Sequence, residues 1–250
     1  MPEKSALIIA HRGESYDAPE NTMAAINLAW ERGAEAVEID VHLSKDNEVV
    51  VFHDFNTKRV AGVDKKIAAQ NLDELKQLDV GKWKDIKWKG EKIPVLREVL
   101  NSVPSWGKLI IEVKSGVETI PFIKQEVEAS ILHAQQLEFI GFELATMFQT
   151  KRVLPQNRVL WLLDLDYYWY TRMFNPSIKK AIAKAKMHHL DGLNVWAGNM
   201  LNESMVRQVH DAGLLLYCWT VNSLEKARKL SDWGIDGITT DRVGRINGQL

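Results

Sequence analysis

A chain of 250 residues with 46% hydrophobic content is long enough to bury a large core, as one barrel or as two smaller domains. Its 32 basic and 33 acidic residues leave a formal net charge of −1, so no overall field draws it to nucleic acid or to an anionic membrane. The single cysteine, Cys218, cannot form an intramolecular disulfide, and no stretch approaches the apolar length of a membrane span. The first apolar run, Ala6–Ala10, is too short for a signal-peptide core. These features predict a soluble cytoplasmic protein with no stable membrane anchor.

Short β-rich runs alternate with helical patterns, which predicts a parallel sheet built from βα units. Ala6–Ala10 reads as the first strand, followed by a helix capped near Asn21 or Thr22, with Ile26 and Trp30 one turn apart and Gly33 at its end. Ala36–Leu43 is the second strand. Asp46-Asn47 then suggests a two-residue turn into an antiparallel return over Val49–Phe52, a register that sets His53 opposite Asp40. Phe55–Lys92, rich in Lys and Asp, contains no convincing barrel strand and reads as an insertion at about 55–92. Chain direction places it at the C-terminal mouth, where it is expected to govern which alcohol is accepted.

The third strand is Lys108–Lys114, before a helix with Ile123, Val127 and Ile131 at four-residue spacing. Glu138–Phe142, Arg158–Leu163, Asp191–Val195, Leu214–Thr220 and Asp236–Thr240 supply five more, separated by helices such as Leu201–Ala212 and Ser223–Trp233. Eight βα units in this length predict a closed eight-stranded parallel β/α (TIM) barrel, with residues 1–250 forming a single catalytic domain.

Side chains alternate along a strand, so Glu38 and Asp40 share one face while Val37, Ile39 and Val41 share the other. Helices should cover the apolar face, which sends the acids inward or to the rim. Ile110, Glu112 and Lys114 repeat the device on the third strand. Three carboxylates in a closed space repel one another and lose solvation, and a hard divalent cation, Mg²⁺ or Ca²⁺, relieves both problems. His53 joins this set from the hairpin, and His11-Arg12-Gly13 joins it from the end of the first strand. Two imidazoles can share acid–base work, while Arg12 and Lys114 can grip phosphate oxygens. The combination suits phosphoryl transfer.

Other conspicuous residues have simpler explanations. Trp161, Trp169, Trp196 and Trp233 read as packing residues, Cys218 as a small buried hydrophobe, and His42 as a residue near the hairpin tip without a catalytic role. The lysine-rich run Lys179–Lys186 reads as solvated lysines flanking an apolar stripe.

The segments His11-Arg12-Gly13, Ala18-Pro19-Glu20-Asn21-Thr22, Glu38-Ile39-Asp40-Val41 and Val51-Phe52-His53-Asp54 resemble the glycerophosphodiester phosphodiesterase family. Ile93-Pro94-Val95-Leu96, Ile111-Glu112-Val113-Lys114, Trp219-Thr220-Val221-Asn222 and Asp236-Gly237-Ile238-Thr239-Thr240-Asp241 extend the likeness over nearly the whole chain. The resemblance implies that Glu38, Asp40 and Glu112 hold the metal and that His11 and His53 are the acid–base pair. It implies phosphate contacts for Arg12 and Lys114, an aromatic pocket wall at Trp219, and rim positions for Glu20 and Asn21. Ile140-Gly141-Phe142 stands where the family commonly has serines, and Arg242-Val243 where a proline is usual.

The resemblance further implies hydrolysis of a small-molecule glycerophosphodiester to glycerol 3-phosphate and an alcohol, either through a cyclic phosphate or by direct attack of water. An alternative is a lysophospholipase D-like enzyme, whose apolar channel Trp83, Trp88 and Tyr167-Tyr168-Trp169-Tyr170 could line. A noncatalytic barrel that binds glycerol phosphate is a third reading, against which the intact histidine and carboxylate set argues.

Overall fold

The computed structural model describes residues 6–166 and 177–250. In chain order it comprises β1 (Leu7–His11), α1 (Met23–Glu31), β2 (Ala36–Leu43), β3 (Val49–Val51), α2 (Lys58–Ala61), α3 (Leu72–Gln77), α4 (Leu96–Leu100) and β4 (Lys108–Val113). There follow α5 (Ile120–Ala129), β5 (Leu137–Gly141), α6 (Leu144–Val153), β6 (Arg158–Leu163), α7 (Ile178–Met187) and β7 (Gly192–Trp196). The chain ends with α8 (Glu203–Asp211), β8 (Leu215–Trp219), α9 (Leu224–Asp232), β9 (Gly237–Thr240) and α10 (Val243–Ile246).

Eight parallel strands close on themselves in the order β1, β9, β8, β7, β6, β5, β4, β2, with β2 returning to β1. The short β3 pairs antiparallel with β2 outside the ring. The expected eight-stranded β/α barrel is therefore present, and its cause is the alternation in the strands. Val37, Ile39, Val41, Leu109, Ile111 and Val113 face outward into the layer beneath the helices. Ile9, Ala36, Ile110, Ile140, Leu160, Leu162 and Tyr217 form a smaller cluster inside the ring. Low in the barrel the buried Glu138 accepts from Tyr217 Oη at 2.9 Å and from Arg158 Nη1 at 3.2 Å, so that end of the interior is filled by a bonded polar plug.

Local chemistry sets the helix ends. Thr22 caps α1, its Oγ1 accepting from the Ala25 N–H, and Ser177, Asn202 and Ser223 cap α7, α8 and α9 in the same way. The apolar stripe of α7, with Ala181 and Ala185 fully buried, is spent on the barrel and leaves its lysines outward. No helix among the described residues is long and apolar enough to cross a membrane. Residues 55–92 carry α2, α3 and 3-10 turns around their own cluster, in which Val60, Ile67, Leu75 and Val80 pack on Val50, Phe52, Ile93 and Val95.

Two local expectations are corrected. The hairpin register is Val41 to Val51, with the Phe52 N–H donating to Asp40 O at 2.9 Å, so Phe52 and not His53 stands opposite Asp40. The slip arises because Ser44 stands opposite Glu48, leaving the three residues Lys45, Asp46 and Asn47 in the loop, one more than a two-residue turn, with Asn47 in the left-handed region at φ 66°. Ile131, expected on the buried face of α5, is 93% exposed because the helix stops at Ala129; Ile120 and Ile123 supply its buried contacts.

Candidate active site

The cavity at the C-terminal ends of the strands has a volume of about 200 Å³ and is lined on one side by His11, Arg12, Glu38, His53, Glu112 and Lys114. Its other wall is Ile140, Phe142, Leu162, Asn194, Trp219 and Thr239. The inward parity of β2 and β4 delivers Glu38, Asp40 and Glu112 to one place, with one oxygen from each lying within 4.8 Å of the others. Register explains the convergence, since β2 and β4 pair Asp40 directly with Glu112.

These carboxylates strain against their surroundings. Burial, together with Asp40 and Glu112, holds the Glu38 carboxyl well above its usual range. Burial and the charge of Asp40 push Glu112 up to about 7, against the opposing pull of Lys114. Asp40 is equally buried, but Arg12, Lys114, His53 and a bond from Asn21 outweigh that and keep its carboxyl below the ordinary value. Lys114 Nζ lies 2.9 Å from Glu112 and 3.5 Å from Asp40. Arg12 Nε approaches Asp40 to 3.2 Å without hydrogen-bond alignment, and its Nη1 donates to Glu20 at 2.9 Å. Glu38 Oε1 and Asp40 Oδ1 remain buried without a hydrogen bond. Three acids face two cations and each brings one oxygen to the same place, so the donor set fits a hard divalent cation with oxygen ligands.

The turn after β1 aims the backbone as well as side chains. Arg12 and Asn21 both adopt φ 57°, a conformation that side chains other than glycine rarely take and that clusters at functional sites. In it the Arg12 N–H donates to Glu38 Oε2 at 2.9 Å. Gly13 allows the turn: at φ 81°, a Cβ there would fall 2.5 Å from the Ala25 backbone. Asn21 is not on the rim. It is buried beneath Asp40, donating to Asp40 Oδ2 at 2.8 Å and accepting from the Asp40 N–H at 3.1 Å.

Each histidine is anchored at Nδ1. His11 Nδ1 lies 2.6 Å from Asp241 Oδ1, and His53 Nδ1 lies 2.6 Å from Asp54 Oδ1. Burial alone would raise both aspartates, but hydrogen bonds from His11, Asn222 and Ser15 bring Asp241 down to about 2, and those from Arg59 and His53 do the same for Asp54. Ionised carboxylates only accept, so each Nδ1 donates and Nε2 is the ring nitrogen left for the cavity. Burial lowers the His53 pKa below the ordinary histidine value, with Arg12 and Lys114 acting in the same direction. His42 lies behind His53, its Nε2 3.1 Å from the His53 carbonyl, and burial takes its pKa down to about 4, so near neutral pH it is an uncharged donor.

Arg59, from the insertion, ties the two halves together: Nε donates to Asp54 Oδ2 at 2.6 Å and Nη2 to Glu20 Oε1 at 2.7 Å, while Glu20 in turn holds Arg12. Asp54, Asp241 and Asn222 lie within motifs whose likeness to the family was plain, but nothing in their spacing showed that they bond to His53, His11 and each other. Arg59 and Asn194 carried no such signal.

Position 141 also changes meaning. Gly141 faces outward, where a Cβ would fall 2.8 Å from Met147 Cε, so its missing side chain takes nothing from the cavity; the inward residue of that pair is Ile140. Trp219 meets Phe142 and Trp196 edge-on at 5.7 and 5.0 Å, so Trp196 packs as expected. Trp161 donates to Phe142 O at 2.9 Å, and Trp233 is half-buried against the barrel. Burial lifts Cys218 to about 12, in keeping with a buried hydrophobe. No residue of 55–92, Trp83 and Trp88 included, lines the cavity. Trp169 and the Tyr167–Tyr170 cluster lie outside the described residues.

The chain matches the glycerophosphoryl diester phosphodiesterase family over residues 11–245. A Bacillus subtilis relative, YhdW, is 33% identical over 235 residues, covering 94% of this chain and 93% of its own. A glycerophosphodiester phosphodiesterase of Caldanaerobacter subterraneus is 30% identical over 241 residues, covering 94% and 93%. An Oleispira antarctica phosphodiesterase solved in complex with the product sn-glycerol-3-phosphate is 29% identical with a TM-score of 0.86, covering 98% of this chain and 96% of that one. The motifs, the barrel and these likenesses agree: the chain belongs to the glycerophosphoryl diester phosphodiesterase family and thus to the phosphoric diester hydrolases.

Proposed function

We propose that this chain hydrolyses small glycerophosphodiesters to glycerol 3-phosphate and an alcohol, with Glu38, Asp40 and Glu112 holding one Mg²⁺ or Ca²⁺ and with His11 and His53 moving the protons. One observation carries the reading. Two histidines, each fixed through Nδ1 on a carboxylate, border the same cavity as three converging carboxylates, of which Glu38 and Asp40 each keep one buried oxygen without a hydrogen bond. A divalent cation there supplies charge neutralisation for a phosphodiester and for the acids themselves.

The remaining work belongs to the chain's own groups. Arg12 and Lys114 orient phosphate oxygens on the cationic side of the cavity. His11 and His53 divide proton removal from the attacking oxygen and proton delivery to the departing alcohol, and the anchored Nδ1 keeps each ring aimed. The cavity volume of about 200 Å³ favours a small headgroup diester over a lysophospholipid. The test is purified protein on glycerophosphocholine, glycerophosphoethanolamine and a lysophospholipid, with Mg²⁺, with Ca²⁺ or with chelator, measuring released glycerol 3-phosphate from the first two and released lysophosphatidic acid from the third. Metal-dependent release from the first two supports the reading. Turnover of the lysophospholipid alone, or full activity after verified metal removal, overturns it.

A further inference from the structure

Asn194 stands on β7, four strands from β2 in either direction round the ring, and so across the barrel from the carboxylates. Its register neighbours are Leu162 on β6 and Tyr217 on β8. The residue is 1% exposed and lines the cavity, yet its Oδ1 has no hydrogen-bond partner among the described residues. Trp219 on β8 lines the same wall, and its Nε1 is likewise buried without a partner. Barrel interiors normally take branched apolar side chains, as Ile140 and Leu162 do on this wall, and an unpaired buried amide is unfavourable. A buried acceptor on a residue that lines the cavity therefore calls for a donor that the protein does not supply.

The type of atom narrows the ligand. The free oxygens of a phosphodiester only accept, so they cannot satisfy Asn194 Oδ1, and they belong with Arg12 and Lys114. A hydroxyl donates and accepts at once, and so can satisfy an amide oxygen while receiving from an indole N–H. We infer that Asn194 is a specificity-determining residue that accepts a hydrogen bond from a hydroxyl of the substrate's glycerol moiety, with Trp219 Nε1 donating to an oxygen of the same moiety. This rests on the function proposed above and names the wall that reads the polyol, as distinct from the side that holds the phosphate.

The experiment compares wild type, Asn194→Leu and Asn194→Ala, all with Mg²⁺, on glycerophosphoethanolamine and on bis(p-nitrophenyl) phosphate, which has no glycerol. The ratio of kcat/KM between the two substrates is expected to fall roughly ten- to a hundredfold in both variants, the range for leaving one buried polar partner unpaired. The Kd of sn-glycerol 3-phosphate should rise relative to that of inorganic phosphate by a similar factor. Thermal unfolding supplies a readout that a structural role would reverse: Asn194→Leu should melt at or above the wild-type temperature, because it removes an unpaired amide at nearly constant volume. An unchanged substrate ratio in folded variants overturns the inference, as does a lower Tm accompanied by equal losses on both substrates. Wild-type protein that cleaves bis(p-nitrophenyl) phosphate but not glycerophosphoethanolamine overturns the functional reading itself, and this inference with it.

Discussion

His53 Nδ1 and Asp54 Oδ1, from adjacent residues, stand 2.6 Å apart, and His11 Nδ1 stands at the same distance from Asp241 Oδ1. Two anchored imidazoles on one cavity predict a cooperating pair. His11→Ala and His53→Ala should each cut turnover by about a hundred- to ten-thousandfold, the usual worth of one general acid or base. The double variant should lose less than the product of the two, because groups that act together are not additive. Calorimetry should show bound metal retained in both single variants. A p-nitrophenyl diester, which needs little protonation of its leaving group, should partly rescue one variant and not the other; equal rescue of both would remove the division of roles.

The two bonds from Arg59 to Asp54, and its bonds to Glu20, tie the insertion to the partners of the proposed catalytic residues even though it lines no part of the cavity. Arg59→Ala is expected to lower kcat by about tenfold or more while leaving metal affinity within a few-fold, because it loosens His53 through Asp54 and Arg12 through Glu20. Arg59→Lys should recover only part of the loss, since an ammonium cannot span both carboxylates with a planar fork. Full activity in Arg59→Ala would show that the bridge is a surface ion pair without mechanical consequence.

Metal affinity should grade with distance from the ion. Glu112→Gln removes a charge from the proposed ligand set, so its calorimetric Kd should rise by more than about a hundredfold, beyond what loss of an outer partner brings. Asn21→Ala strips two hydrogen bonds from Asp40 but leaves all three carboxylates, and should cost roughly ten- to a hundredfold. If Asn21→Ala proved the more damaging, Glu112 would not be a ligand.

The barrel was legible because strand parity is a strict period of two: Glu38, Asp40 and Glu112 had to point away from Val37, Ile39 and Val113 in any parallel sheet covered by helices. The hairpin was legible only in kind. Asp46-Asn47 marks a turn, but a two-residue turn of that kind needs both residues in the left-handed region, and here only Asn47 enters it, in a loop that the Ser44 hydroxyl accepting from the Glu48 N–H helps to fix. The sequence offers Asn21 or Thr22 as the cap of α1; Thr22 takes that role, and Asn21 reaches Asp40 instead. Asp241 lies 230 positions from His11, and only closure of β9 against β1 brings them together. Bonds of that range follow from ring closure and leave no local trace.

Asp241 also makes a stability prediction with a definite sign. Burial would raise its carboxyl, but the His11, Asn222 and Ser15 hydrogen bonds win and hold it at about 2, below the ordinary aspartate value of about 3.9. A depressed folded-state pKa means that the native protein prefers the ionised form, so the stabilisation is fully present above about pH 4 and disappears as the pH falls through about 2. Asp241→Asn keeps the shape and cannot titrate. The gap in unfolding free energy between wild type and this variant should therefore be widest at pH 5, on the order of 1 kcal/mol once solvent screening of this partly exposed group is allowed for, and should narrow steadily between pH 4 and pH 2. Urea titrations at pH 5, 4 and 3 measure it directly. A gap that stays constant across that range would mean that the Asp241 charge contributes nothing to the fold and that its bond to His11 serves catalysis alone.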